Sequence, residues 1–192
     1  MNKKIIETNF NDYSKELGGI WVNDPNFDQK LDEIASHIGW IIINLNSLED
    51  TISFCINEYM GDSEPSDELN SIFQSELSYA AKYKTLIKIY GWHISQLCED
   101  QIKNGMLKKL EKLNKSLKKA GELRNQYAHA NWNDMSQTRF VKIKTKAKID
   151  GVYHIYRQFE IADMEKDIEF IDNTQQELDD FNEELHDKIN SI

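Results

Sequence analysis

Arg124-Asn125-Gln126-Tyr127-Ala128-His129-Ala130-Asn131-Trp132 sets an arginine, an amide and a histidine within one short stretch. Helix packing asks for none of the three. Chemistry at a phosphate can use all of them. A guanidinium is a permanent planar fork of donors that matches phosphate oxygens, and Arg124 supplies one. Histidine, with an unperturbed pKa of about 6.5, is the side chain that both gives and takes a proton near neutral pH. RNA carries its own nucleophile, the 2′-OH beside the scissile phosphate. Its cleavage needs a base for that proton, an acid for the leaving oxygen and a cation for the extra negative charge. His129 fits base or acid, a role worth roughly 10²–10⁴-fold, and Arg124 fits the cation.

These residues need a helix to hold them, and the spacing predicts one from about Leu107 to Ala130. Its apolar stripe is Leu110, Leu113, Leu117 and Ala120, and six lysines between 108 and 119 cover much of the rest. Asn125 and His129, at i and i+4, fall one above the other. Arg124 lies seven positions after Leu117, on the apolar side. A plainer reading stands beside the chemical one: Arg124 is a buried arginine paired with Glu49, Asp50 or Glu76. An Arg and a His near a helix C-terminus also suit the helix dipole.

Around this helix the pattern predicts a mainly α fold, a bundle of four long helices with a β-hairpin inserted before the last one. The first helix is expected over Phe27–Met60, with Asp28 as N-cap. Its stretch Gly39-Trp40-Ile41-Ile42-Ile43 is apolar nearly all round, so it is central or faces a partner subunit. Pro65 marks a second start, with a helix from about Ser66 to Leu97 that Gly91 bends or splits. The period switches to two at about 138–161. There Val141, Ile143, Thr145 and Ala147 alternate with Lys142, Lys144, Lys146 and Lys148, and Ile149-Asp150-Gly151 reads as a three-residue hairpin loop. This register joins the first set to Tyr153, Ile155, Arg157 and Phe159, and leaves the four lysines beside His154 and Tyr156. A strongly acidic helix closes the chain from about Ala162 to Ile189. Residues 1–26 read as an N-terminal arm anchored by Ile20 and Trp21, and 27–192 as one domain. Asn133 and Asp134 read as a turn, and Trp132 as a packing residue.

The chain of 192 residues carries a net charge of −10, which argues against nucleic acid until its distribution is considered. From Lys103 to Lys148 there are 13 lysines and arginines against three acids, a local +10 that contains the motif. Local potential, more than net charge, draws in a polyanion. Lys115, Lys118, Lys119 and Asn131 are therefore candidates for RNA contact, with His154 a further one. The same lysines also read as a solvated face against which the acidic last helix lies. Cys55 and Cys98, 43 positions apart in apolar helical patterns, read as reduced core residues of a cytosolic protein. The five histidines are scattered, with no HExxH and no CxxC, so no metal site and no cofactor are expected. His37, His93 and His186 read as ordinary core or surface residues. The first residues turn polar too soon for a signal peptide, and no run is long and apolar enough for a membrane span.

The pairing of Arg124-Asn125 with Ala128-His129, four residues separating Arg and His, late in a long helix, resembles the HEPN superfamily (higher eukaryotes and prokaryotes nucleotide-binding domains). The resemblance spans about residues 27–192 as a fold pattern, and its specific content is these few positions. It implies an all-α bundle and a metal-independent endoribonuclease acting as a homodimer, with the motifs of two subunits facing one cleft. Arg124 and His129 would be catalytic, and Asn125 would hold the phosphate or the imidazole. One toxin branch of the family has Tyr two residues after the His, where this chain has Asn131. The resemblance also implies a setting in defence, stress response or a toxin–antitoxin pair, with an antitoxin or regulator as partner. The other reading keeps the fold and makes the motif a clamp in a non-catalytic nucleotide- or protein-binding module.

Overall fold

The computed structural model describes residues 5–9, 27–60, 64–132 and 140–191. In chain order these form β1 (Ile5–Asn9), α1 (Phe27–Met60), α2 (Glu64–Ser75), α3 (Tyr79–Gln96), α4 (Asp100–Ala128), β2 (Phe140–Lys148), β3 (Gly151–Gln158) and α5 (Ile161–Asn190). The fold is mainly helical with a small antiparallel sheet. Among the described residues no helix is long and apolar enough to cross a membrane. The chain divides into two compact units: 1–42 with 123–168, and 43–122 with 169–192.

The described elements of the second unit are all helices. Leu45, Leu48, Ile52 and Ile56 of α1 are buried at spacings of three and four, as are Tyr83, Leu86, Tyr90 and Ile94 of α3. Met106, Leu110, Leu113 and Leu117 of α4 and Ile171, Leu178, Phe181 and Leu185 of α5 are buried in the same way. Glu49 pairs with Lys82 at 3.0 Å, and Tyr59 meets Tyr90 edge-on at 5.4 Å, so α3 runs parallel to α1. Tyr79 bonds Leu117 at 3.0 Å, and Gly91 lies against Leu110, so α4 runs back. The helix expected over 66–97 is thus two helices, and the break lies at Glu76–Ser78, not at Gly91. Ser78 caps α3 by accepting from the Ala81 amide at 3.3 Å. That supplies a helix start where no Gly or Pro marks one. Likewise α4 begins at Asp100, a turn and more before the expected Leu107.

Tyr79 fixes a tight crossing between α3 and α4. A Cβ on Gly121 would stand 2.8 and 3.0 Å from two carbons of the Tyr79 ring. That ring is buried and its hydroxyl is bonded to Leu117, so it cannot step aside freely. Gly121→Ala is expected to destabilise the protein by about 1–3 kcal/mol through overpacking, read as a lower urea midpoint at unchanged slope. A neutral result would mean that the helices separate at no cost.

The cysteines divide. Cys55 is buried in the α1 core, as expected, and burial pushes its thiol up to about 11. Cys98, expected in the core, is exposed, two residues past the end of α3. A thiol reagent near pH 8 is expected to add once to the native protein, at Cys98, and twice in urea, since the thiolate is the reactive species. Two rapid adducts on the native protein, seen by intact mass, would contradict the buried placement of Cys55.

The first unit contains the sheet, in order β1-β3-β2. The expected arm therefore contributes a strand at Ile5–Asn9, paired antiparallel with β3. The anchors Ile20 and Trp21, and the turn at Asn133-Asp134, lie outside the described residues. The hairpin forms as expected, with two corrections. Lys148 pairs with Gly151, so the loop is the two residues Ile149-Asp150, and Gly151 takes φ +146°, a region that favours glycine. A bulge between Lys142 and Lys144 then shifts the register. Lys142 keeps the Tyr156 face as expected, but Lys144 and Lys146 stand opposite Ile155 and Tyr153. A single extra residue reverses every facing beyond it. The lysines gain a carboxylate by this: Glu7 of β1 meets Lys148 at 2.6 Å and Lys146 at 3.6 Å. The hydrogen bond from Lys148 holds the Glu7 carboxyl below its usual range.

Candidate functional site

The motif occupies the last turns of α4, within the first unit. Leu123 and Tyr127, four apart, take the buried positions there. Arg124 is half-buried beside them, and Asn125 is exposed. Ala128 is the last helical residue, and His129 follows it, exposed, with its amide bonded to the Asn125 carbonyl at 3.3 Å. The amide and the imidazole therefore stand in sequence at an open helix end. The dipole there favours cations.

Behind the motif lies a buried polar cluster that the sequence reading did not single out. The Tyr127 hydroxyl donates to Asp167 Oδ2 at 2.9 Å, and Arg157 Nη2 donates to the same oxygen at 3.1 Å. Arg157 Nη1 donates to Gln126 Oε1 at 2.7 Å. Arg157 is 2 % exposed and Asp167 5 %, so both charges of this pair are out of water. The guanidinium stacks on Phe159, 4.4 Å from its centroid. Burial, and then the Asp167 charge, push the Tyr127 hydroxyl far above its ordinary value, so it remains a donor. Among the described residues of this unit the fully buried arginine is thus Arg157, while Arg124 is only half-buried. A signal existed in the sequence. Arg157 alternates with Tyr153 and Ile155 on an otherwise apolar strand face, and Asp167 lies three after Met164 on the core side of the last helix.

Ahead of the motif the chain is held a second time. Trp132 Nε1 donates to the Tyr127 carbonyl at 3.1 Å. Its rings stack on Tyr127 at 17° and lie 4.9 Å from Phe159. Trp132 is a packing residue, as expected. The Asn131 amide donates to the Lys142 carbonyl at 2.9 Å, which bridges the segment to β2. Between the anchors at Tyr127 and Asn131 only three residues remain, and His129 is the middle one.

The proposed RNA contacts separate. Asn131 is half-buried beside the motif, in the first unit. Lys115, Lys118 and Lys119 are exposed and belong to the second unit. There Lys115 pairs with Glu111 at 2.7 Å, and Lys119 lies 3.8 Å over the Phe170 ring. Lys109 and Lys112 reach Glu184 and Glu177 of α5. Much of the positive charge of α4 therefore lies against the acidic last helix. His154 is half-buried on β3, its ring bonded to Thr145 at 3.0 Å.

Two described clefts, both in the second unit, do not involve the motif. One, of about 260 Å³, is lined by Lys109, Lys112, Leu113, Glu177 and Phe181 among others. The second shares Lys109 and Glu184 with it. Comparison with protein-family models, with curated proteins and with solved structures returned no match.

Proposed function

We propose that this protein is a HEPN-type, metal-independent endoribonuclease that cleaves RNA by attack of the 2′-OH, with Arg124, Asn125 and His129 as its catalytic set. The observation that carries the reading is the presentation of His129. It is exposed, yet it sits in a three-residue span with an anchor on each side. A histidine kept for packing has no need of that arrangement.

In this reading a histidine removes the 2′-OH proton and the 2′-oxygen bonds to phosphorus. The bond to the 5′-oxygen breaks, and that oxygen takes a proton from a second histidine. The products are a 2′,3′-cyclic phosphate and a 5′-OH. Arg124 steadies the charge on the phosphoryl oxygens, and Asn125 hydrogen-bonds the phosphate or the imidazole. Each chain supplies one histidine in the motif, so the base and acid come from the two subunits of a C2 dimer. The dimer surface in this reading includes Trp40 and Ile43 of α1, which are 58 % and 56 % exposed and so not central to the fold. The four longer helices α1, α3, α4 and α5 would form the bundle of the family. Defence, stress response or a toxin–antitoxin pair is the setting the resemblance implies.

The test is cleavage of a mixed tRNA and messenger RNA pool in EDTA by the parent and by His129→Ala, with analysis of the new ends. Cyclic phosphate ends from the parent and none from the variant support the reading. No cleavage by the parent, folded and dimeric, removes it.

A further inference from the structure

The Arg157–Asp167 pair is an odd device if stability is its purpose. Both groups are almost fully buried, and Arg157 Nε has no hydrogen-bond partner among the described residues. Replacing a buried ion pair with apolar residues of similar volume is commonly neutral or stabilising. An incompletely bonded guanidinium is a poorer filler still. What the pair does supply is direction. Asp167 on α5 takes bonds from Tyr127 on α4 and Arg157 on β3 at one oxygen. The other arm of the Arg157 fork reaches Gln126, the residue before Tyr127. Two elements, β3 and α5, are thereby registered against two consecutive residues of the motif. These lie between Asn125 and His129, which are required to point outward.

We infer that Arg157, Asp167 and Tyr127 are positioning residues for the motif: they fix the rotation of the last turn of α4, and so the direction in which Asn125 and His129 are presented. The fork geometry of arginine makes it suited to this. Two arms at fixed angles define an orientation, which a point charge or an apolar contact does not. The inference rests on the proposed ribonuclease reading for its consequence in catalysis, but not for its geometry. A loss of turnover is expected because small displacements of reacting groups cost large factors in rate.

The experiment uses a matched apolar replacement, Arg157→Met with Asp167→Leu and Tyr127→Phe, beside Tyr127→Phe alone. The single variant removes one hydroxyl and keeps the ion pair. Three quantities are read: the thermal midpoint, the imidazole resonances of the histidines, and kcat and KM for RNA. The triple variant is expected to melt at or above the parent temperature. The His129 resonances are expected to move or broaden while those of His37 and His186 stay in place. The value of kcat is expected to fall at least tenfold with KM changed less than twofold, and Tyr127→Phe to show the same changes to a smaller degree. Unmoved His129 resonances in a folded triple variant overturn the inference. If the triple variant does not fold, unmoved resonances in folded Tyr127→Phe overturn it as well. A parent that leaves RNA intact overturns the ribonuclease reading alone, since the resonances still report the position of His129.

Discussion

His129→Ala is expected to lower the rate of RNA cleavage by roughly 10²–10⁴-fold, the span of a positioned general acid or base. The fold should be untouched, because the imidazole is exposed and its removal opens no cavity. The urea midpoint of the variant should therefore match that of the parent, and the loss should fall on kcat. Arg124→Lys separates charge from shape. A lysine keeps the positive charge but loses the fork that grips two phosphoryl oxygens at once, so it should recover little of what Arg124→Ala loses. Parent-like cleavage by His129→Ala would remove the residue from the mechanism. A lower rate with a lower urea midpoint would point to damage elsewhere.

The largest stability effect is expected at Asp167. Asp167→Ala strands the Arg157 guanidinium in a site with almost no water, and it also takes the acceptor from the Tyr127 hydroxyl. Breaking a buried pair at one partner costs roughly 3–5 kcal/mol. Urea denaturation should show that loss as a lower midpoint with little change of slope. Arg157→Ala should cost a comparable amount, and the double variant less than the sum, because the stranded charge is then absent. Additivity of the two losses would mean that the residues do not act as a pair. The asymmetry explains how an ion pair can be indispensable to the present sequence without being the most stable filling of its site.

The sequence predicts the long regular parts of this fold well. The bounds of the first helix come from apolar spacing sustained over 34 residues, and the structure begins and ends that helix at the same places, with Asp28 inside the first turn and not at the N-cap as expected. The last helix follows from a comparably long pattern, and the existence of the hairpin from a shorter alternating one. What pattern alone misses is decided by single residues. The bulge beside Ile143 reverses the facing of Lys144 and Lys146, and a period of two contains no term for an extra residue. Ser78 opens α3 within a stretch whose apolar spacing continues on both sides of it. The strand at Ile5–Asn9 is too short to show a period, and its existence depends on β3, some 145 positions away. In the site, Arg124, Asn125 and His129 are legible as types and spacing. Arg157 and Asp167 are not, because their importance is a matter of who meets whom, though each stands out as a charge on a face otherwise apolar.

The anchoring of His129 bears on how this protein can be cut and rejoined. The motif itself is nine residues, but the contacts that hold it come from Lys142, Arg157, Phe159 and Asp167. A transplant of α4 onto another helical scaffold would carry the letters of the motif without their orientation. A transferable piece needs at least the stretch from about Leu123 to Ile168, hairpin included, together with the β1 strand that pairs with β3, and chimaeras joined inside that stretch should inherit the sequence of the site and not its shape.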